Sequence, residues 1–146
     1  MSEKSKQAQA HFKEGYNCCQ AVVLAYADEV GLDKETALKI AASFGGGMGQ
    51  LREVCGAVTG MFIVAGMKNG YTSPTDKEAK KAHYQRIRDL AEQFKAENGS
   101  IVCKELLGLT EAPKEVNPAE RTAEYYKKRP CAELVECAAA IVEKQL

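Results

Sequence analysis

Gly45-Gly46-Gly47-Met48-Gly49-Gln50-Leu51-Arg52-Glu53-Val54-Cys55-Gly56-Ala57-Val58-Thr59-Gly60, running on into Met61-Phe62-Ile63-Val64-Ala65-Gly66-Met67, is a glycine-rich loop feeding an apolar helix, with a thiol where the helix begins. Glycine permits positive φ and close approach by another group, so the loop reads as flexible. Gly56 and Gly60 stand four apart and share one helix face, which therefore has no side chain to hold a neighbour away. A tightly packed central helix follows from that face. A second reading is compatible with the first: the loop and Cys55 form the floor of a thiol site. Gly47, Gly49 and Gly56 are then the candidates for backbone contact with a cofactor.

Outward from this stretch the pattern is helical nearly throughout, with no run of strict alternation. Ser5 to Glu14 reads as a polar helix, interrupted at Gly15-Tyr16-Asn17. Asn17 is a good cap for an apolar helix, Cys18 to Val30, closed by Gly31. Asp33 caps Lys34 to Phe44, and the central helix is expected over about Arg52 to Lys68. Ser73-Pro74-Thr75-Asp76 is a start signal for a long helix to Glu97 with a charged outer face and a buried stripe of Ile87, Leu90 and Phe94. Ser100 is the expected cap of Ile101 to Leu107. Pro118 to Lys128 reads as a further helix, and Pro130 starts the last one, Cys131 to about Lys144. The expected architecture is all-α: one compact bundle of about six or seven helices over residues 1–146, around the Gly-rich central helix.

The 146 residues suffice for one domain with a real core. A hydrophobic share of 45% and a charged share of 27% fit a soluble globular chain. Formal net charge is zero, which gives no electrostatic reason to expect nucleic acid or an anionic membrane surface. The uncharged run between Glu53 and Lys68 is shorter than the roughly 20 residues that span a bilayer. Met1 to Lys6 lacks the apolar core of a secretory signal, so a cytoplasmic, reducing setting is expected. Six cysteines in such a setting point to metal or redox chemistry rather than a disulfide scaffold.

Four of those cysteines fall at expected helix starts. Cys18 follows the Asn17 cap, Cys55 opens the central helix, Cys103 is the third residue after Ser100, and Cys131 follows Pro130. A first turn has unpaired N–H groups and the positive end of the helix dipole, which favour a thiolate. Arg52 and the run Lys127-Lys128-Arg129 add to this if they point inward; otherwise they are a solvated face. Cys19 and Cys137 read as core. His11 and His83 read as exposed, Glu92 and Glu97 as surface charge, and Tyr16 and Tyr26 as packing. There is no C-x-x-C, and Gly45 to Gly49 matches neither the phosphate-loop pattern nor G-x-G-x-x-G after a strand.

These features, taken in order, resemble a known family. Gly15-Tyr16-Asn17-Cys18 with Gln20-Ala21-Val22, Gly45 to Gly49 with Cys55-Gly56-Ala57-Val58-Thr59-Gly60, Cys103-Lys104-Glu105-Leu106-Leu107-Gly108, and Cys131 with Leu134-Val135 resemble the proteins named for the pattern C_GCAxxG_C_C. The likeness runs from about Phe12 to Ile141. It implies a small bacterial protein, frequent in anaerobes, called redox-active on the strength of its cysteines, with Cys18, Cys55, Cys103 and Cys131 as the shared set. Related domains occur joined to haem-binding segments, but this chain has no C-x-x-C-H site.

Three functions remain open. The first is thiol–disulfide or electron-transfer chemistry with an unknown redox partner. Cys55 would be the attacking thiolate, Cys18 would resolve it, and Cys103 with Cys131 would form a second pair. The second is metal binding, with the same four thiolates holding zinc or an iron–sulfur cluster. The third is a structural or interaction bundle without a cofactor, for which the small-residue helix equally suits a homodimer interface.

Overall fold

The computed structural model describes residues 2–109, 111–112, 114–116, 120–122, 125 and 129–146. The first three helices begin where short polar side chains meet free N–H groups. In α1 (Glu3–Lys13) the Ser2 side chain accepts from the Ser5 amide. In α2 (Cys18–Tyr26) Asn17 Oδ1 accepts from the Gln20 amide at 2.8 Å, and Gln20 Oε1 accepts from the Asn17 amide at 3.1 Å. Asp33 caps α3 (Lys34–Ala41), which tightens into a 3-10 turn over Ala42–Phe44.

The next element, α4 (Gly45–Met48), is not a right-handed helix. Gly46, Gly47, Met48, Gly49 and Gln50 have φ of 70, 70, 69, 60 and 65°, a left-handed turn over five consecutive positions. Left-handed backbone costs an L side chain roughly 1–2 kcal/mol per residue, and three of these five positions are glycine. The expected flexible loop is thus a hydrogen-bonded turn, with the amides of Arg52 and Glu53 donating to the carbonyls of Gly46 and Gly47 at 3.2 and 3.0 Å.

Among the described residues four helices follow: α5 (Gly56–Asn69), α6 (Lys77–Asn98), α7 (Cys103–Leu106) and α8 (Cys131–Gln145). Helices α2 and α5 pack against each other at the centre. Helix α1 lies on α2 and α8, α6 lies on α5 and α8, and α3 covers the remaining side of α2. The glycine face works as expected: a Cβ at Gly60 would lie 2.8 Å from Val22 Cβ. Phe12, Tyr26, Met61, Leu90, Phe94, Val135 and Val142 fill the main core, and the Tyr26 hydroxyl donates to Ala139 O at 2.6 Å. Each such apolar side chain contributes on the order of 1.5–3 kcal/mol by burial. No helix among the described residues is long and apolar enough to cross a membrane.

Several boundaries differ from the expected ones. Helix α5 starts at Gly56 rather than Arg52, because Arg52 has φ of 61° and Val54 pairs in an isolated antiparallel bridge with Val102. The same bridge delays α7 from Ile101 to Cys103. Asp76, not Ser73, caps α6 by accepting from the Ala79 amide at 3.0 Å, and Gly99 ends it at φ 91°. Helix α2 stops at Tyr26, although Gly31 still closes the segment at φ 78°. The helix expected over Pro118 to Lys128 falls mostly outside the described residues.

Candidate functional site

Each of the four cysteines is set by a different element. Cys18 is the first residue of α2, Cys103 of α7 and Cys131 of α8, while Cys55 sits at the cap position of α5, one residue before its first turn. The Val54–Val102 bridge ties two of these segments together. The Cys55 amide donates to Ile101 O at 2.8 Å, the Cys103 amide to Glu53 O, and the Lys104 amide to Arg52 O at 3.1 Å. Glycine lets the rest close in. A Cβ at Gly47 would lie 2.7 Å from Cys103 Cβ, and one at Gly56 3.1 Å from Cys18 Cβ.

All four thiols line one cavity of about 620 Å³, together with Gly47, Gly49 and Gly56. Cys55 and Cys103 are buried; Cys18 and Cys131 keep partial exposure. Three guanidinium groups line it too. Arg52 is only 9% exposed, and its Nη1 donates to Cys103 Sγ at 3.5 Å. Arg121 donates to the carbonyls of Phe12 and Tyr16 and lies 4.0 Å over the Phe12 ring. Arg129 lies over the Tyr125 ring at 5.3 Å. Arg52 and Arg129 were candidates from sequence, conditional on pointing inward. Arg121 and Tyr125 were not, since nothing local distinguishes them from surface residues. Lys127 and Lys128 lie outside the described residues.

The helix-start position does not lower every thiol. Burial pushes Cys55 up to about 12, against hydrogen bonds from the Ala57 and Val58 amides. Burial also raises Cys103, with Arg52 opposing it. The neighbouring Cys131 thiol, with burial, holds Cys18 well above the ordinary thiol value. Cys131 is the one of the four that moves down, to about 7: first through the neighbouring Cys18 thiol, then, against burial, through the charges of Arg129, Arg52 and Arg121. The two thiols titrate as a pair, with Cys131 the member moved down. Cys55, the attacker expected from sequence, is held toward its protonated form by burial. Desolvation at its position outweighs the two amides that face it.

Cys19 is fully buried, as expected. Cys137 is not core: it is half-exposed on α8, donates to Glu97 Oε2 at 3.3 Å and accepts from Asn98 Nδ2 at 3.4 Å. His83, expected at the surface, is 8% exposed, packs edge-on to Tyr71 and has its pKa lowered by burial and by Arg86. His11 is half-buried. Among the described residues no group of three or more His, Cys, Asp or Glu side chains is set to hold a metal ion.

Fold and site together define an all-α protein that collects thiols from four helix starts around one arginine-lined cavity. The chain belongs to the family described as "Putative redox-active protein (C_GCAxxG_C_C)", whose model matches residues 16–145. Neither the curated proteins nor the solved structures offer a match to it.

Proposed function

We propose that the chain carries out thiol–disulfide exchange, with Cys131 as the attacking thiolate and Cys18 as the resolving thiol. The observation that carries this reading is the placing of the Cys18 and Cys131 thiols together in a cavity lined by three guanidinium groups. A thiolate near neutral pKa attacks fastest at cellular pH, because it is both populated and nucleophilic.

The Cys131 thiolate attacks one sulfur of a disulfide R–S–S–R, forming a Cys131–S–S–R bond and releasing R–S⁻. Cys18 gives its proton to that departing thiolate and attacks Cys131 Sγ, closing a Cys18–Cys131 disulfide and releasing the second R–S⁻. Two electrons leave the cysteine pair and reduce R–S–S–R to two thiols. Cys55 and Cys103, buried beside them, shape the cavity wall in this scheme rather than exchange first.

The test is stoichiometric. The chain, reduced and handled anaerobically, is treated with one equivalent of 2-hydroxyethyl disulfide, and its bridges are mapped by mass spectrometry. Loss of two thiols, reversed by dithiothreitol and mapped to Cys18–Cys131, is the expected result. A first bridge through Cys55, or no reversible loss, sinks the assignment. Metal analysis of the same preparation is the control: zinc or iron at one site per chain returns the four thiols to the ligand reading.

A further inference from the structure

The cavity holds more positive charge than its thiols need. The Cys131 thiol shares the cavity with three guanidinium groups, and among the described residues lining it there is no Asp or Glu. Arg52 is the most exposed to this imbalance in energy, though the most hidden from water. It is nine-tenths buried, its Nη1 reaches only the Cys103 sulfur at 3.5 Å, and its Nε is buried with no hydrogen-bond partner. A guanidinium taken out of water without a carboxylate is costly, and an oxyanion bound across its fork removes that cost. Arg52 is also held in place with some insistence: it takes φ of 61°, its amide bonds to Gly46 O at 3.2 Å, and its carbonyl accepts from the Lys104 amide at 3.1 Å.

We propose that the cavity contains an anion subsite, centred on the Arg52 guanidinium, that seats the charged end of a small carboxylate- or oxyanion-bearing disulfide and brings its sulfur to Cys131. This rests on the exchange reading above and adds the substrate class to it. The size is right for a small molecule, since about 620 Å³ falls within the roughly 300–1,000 Å³ of such sites. The charge is right because, among the described lining residues, an arriving anion meets three cations and no carboxylate. Arg129 and Arg121, engaged on the rings of Tyr125 and Phe12, shape the field; Arg52 has the open donor.

The experiment compares three small disulfides on the reduced full chain: dianionic 3,3′-dithiodipropionate, neutral 2-hydroxyethyl disulfide and dicationic cystamine. Each rate of Cys131 oxidation is divided by that of the same chain unfolded in urea, which cancels intrinsic reactivity. The expected order is anionic, neutral, cationic, with about tenfold between the first two, the size of one charge-assisted contact. Arg52→Gln should bring that ratio close to one, while Arg88→Gln on the exposed face of α6 should leave it unchanged. Should Arg52→Gln not fold, the native chain still decides. Sulfate, at ionic strength matched with chloride, should slow the anionic reagent and not the neutral one. A native ratio of one with no sulfate effect overturns the subsite. If no disulfide oxidises the pair at all, the exchange reading has failed instead. The subsite is then read by alkylation of Cys131, where sulfate should slow iodoacetate and spare iodoacetamide, and equal slowing overturns it.

Discussion

Helix α8 carries two half-exposed thiols six residues apart, and the protein treats them oppositely. Cys131, at the first turn, faces the Cys18 thiol and three guanidinium groups, and its pKa is lowered. Cys137, farther along the helix, is raised, first by burial and further by its hydrogen bond to Glu97 and the charges of Glu97 and Glu136. Helix, residue type and exposure class are shared. What differs is the neighbours: cations and a thiol donor at one, carboxylates at the other. Reactivity along this helix is therefore written by side chains brought in from α2, from the Arg52 segment and from the residues preceding α8. Exposure and helix position alone do not decide it.

The largest effect that would break the contrast is on the wall of the cavity itself. Gly47 has φ of 70°, and a Cβ there would lie 2.7 Å from Cys103 Cβ and 2.8 Å from Arg52 Cα. Gly47→Ala should therefore cost about 2–4 kcal/mol, from left-handed strain plus overpacking against backbone that has no room to yield. Urea denaturation measures it. The same variant should erase the advantage of Cys131 in alkylation while leaving Cys137 as it was. A variant as stable as the native chain would mean that the left-handed turn is not set as tightly as its contacts say.

Next in size is the contrast read directly. At pH 7 iodoacetamide should modify Cys131 faster than Cys137 by about tenfold or more, since the thiolate is the nucleophile and its lower nucleophilicity offsets only part of the gain in population. Peptide mapping after short exposure gives both rates. Linkage works in the same direction. A thiol with a depressed folded pKa adds stability above its unfolded value, near 9.0, and loses it as pH falls through about 7. Cys55 has the opposite sign: its thiol is favoured in the fold while protonated, and stability should fall as pH rises from about 9 toward 12.

A smaller change sharpens the cause. Cys18→Ala removes the first contributor to the Cys131 shift but keeps the arginines. The midpoint of Cys131 alkylation should move up toward the ordinary thiol range, with up to about tenfold loss of rate at pH 7. An unmoved midpoint would assign the whole shift to the guanidinium groups.

How much of this could be read from the chain follows from the range of each cause. Asn17, Asp33 and Gly31 act on amides and dihedrals within a few residues, so these caps and this stop were legible. So was the Gly56/Gly60 face, because its partner only needs to be apolar, and Val22 is. The four cysteines at helix starts were legible for the same local reason. The left-handed turn was not, since Met48 and Gln50 sit at positive φ against their own preference and only the surrounding hydrogen bonds hold them there. Nor was the Val54–Val102 bridge, a single pairing with no alternation on either side. The opposite shifts of Cys131 and Cys55 depend on Cys18 and Arg121, more than a hundred residues apart in the chain, and on burial that local pattern cannot rank. His83 went inside because Tyr71 packs against a helix face that reads as polar.

The smallest expected effect lies at the other thiol and completes the comparison. Glu97→Gln removes the carboxylate that accepts from Cys137 at 3.3 Å while keeping a side chain of the same size, and Asn98 continues to donate to the sulfur. Burial, the leading cause of the raised pKa, is untouched, so alkylation of Cys137 at pH 8 should rise only about two- to threefold, as one partly screened charge allows. Cys131 should not change, because Glu97 is absent from the charges acting on it. A gain near tenfold would mean that the carboxylate, rather than desolvation, sets Cys137. No gain would leave burial as the sole cause, and the two thiols of α8 would then differ by what cations add at Cys131, not by what carboxylates take away at Cys137.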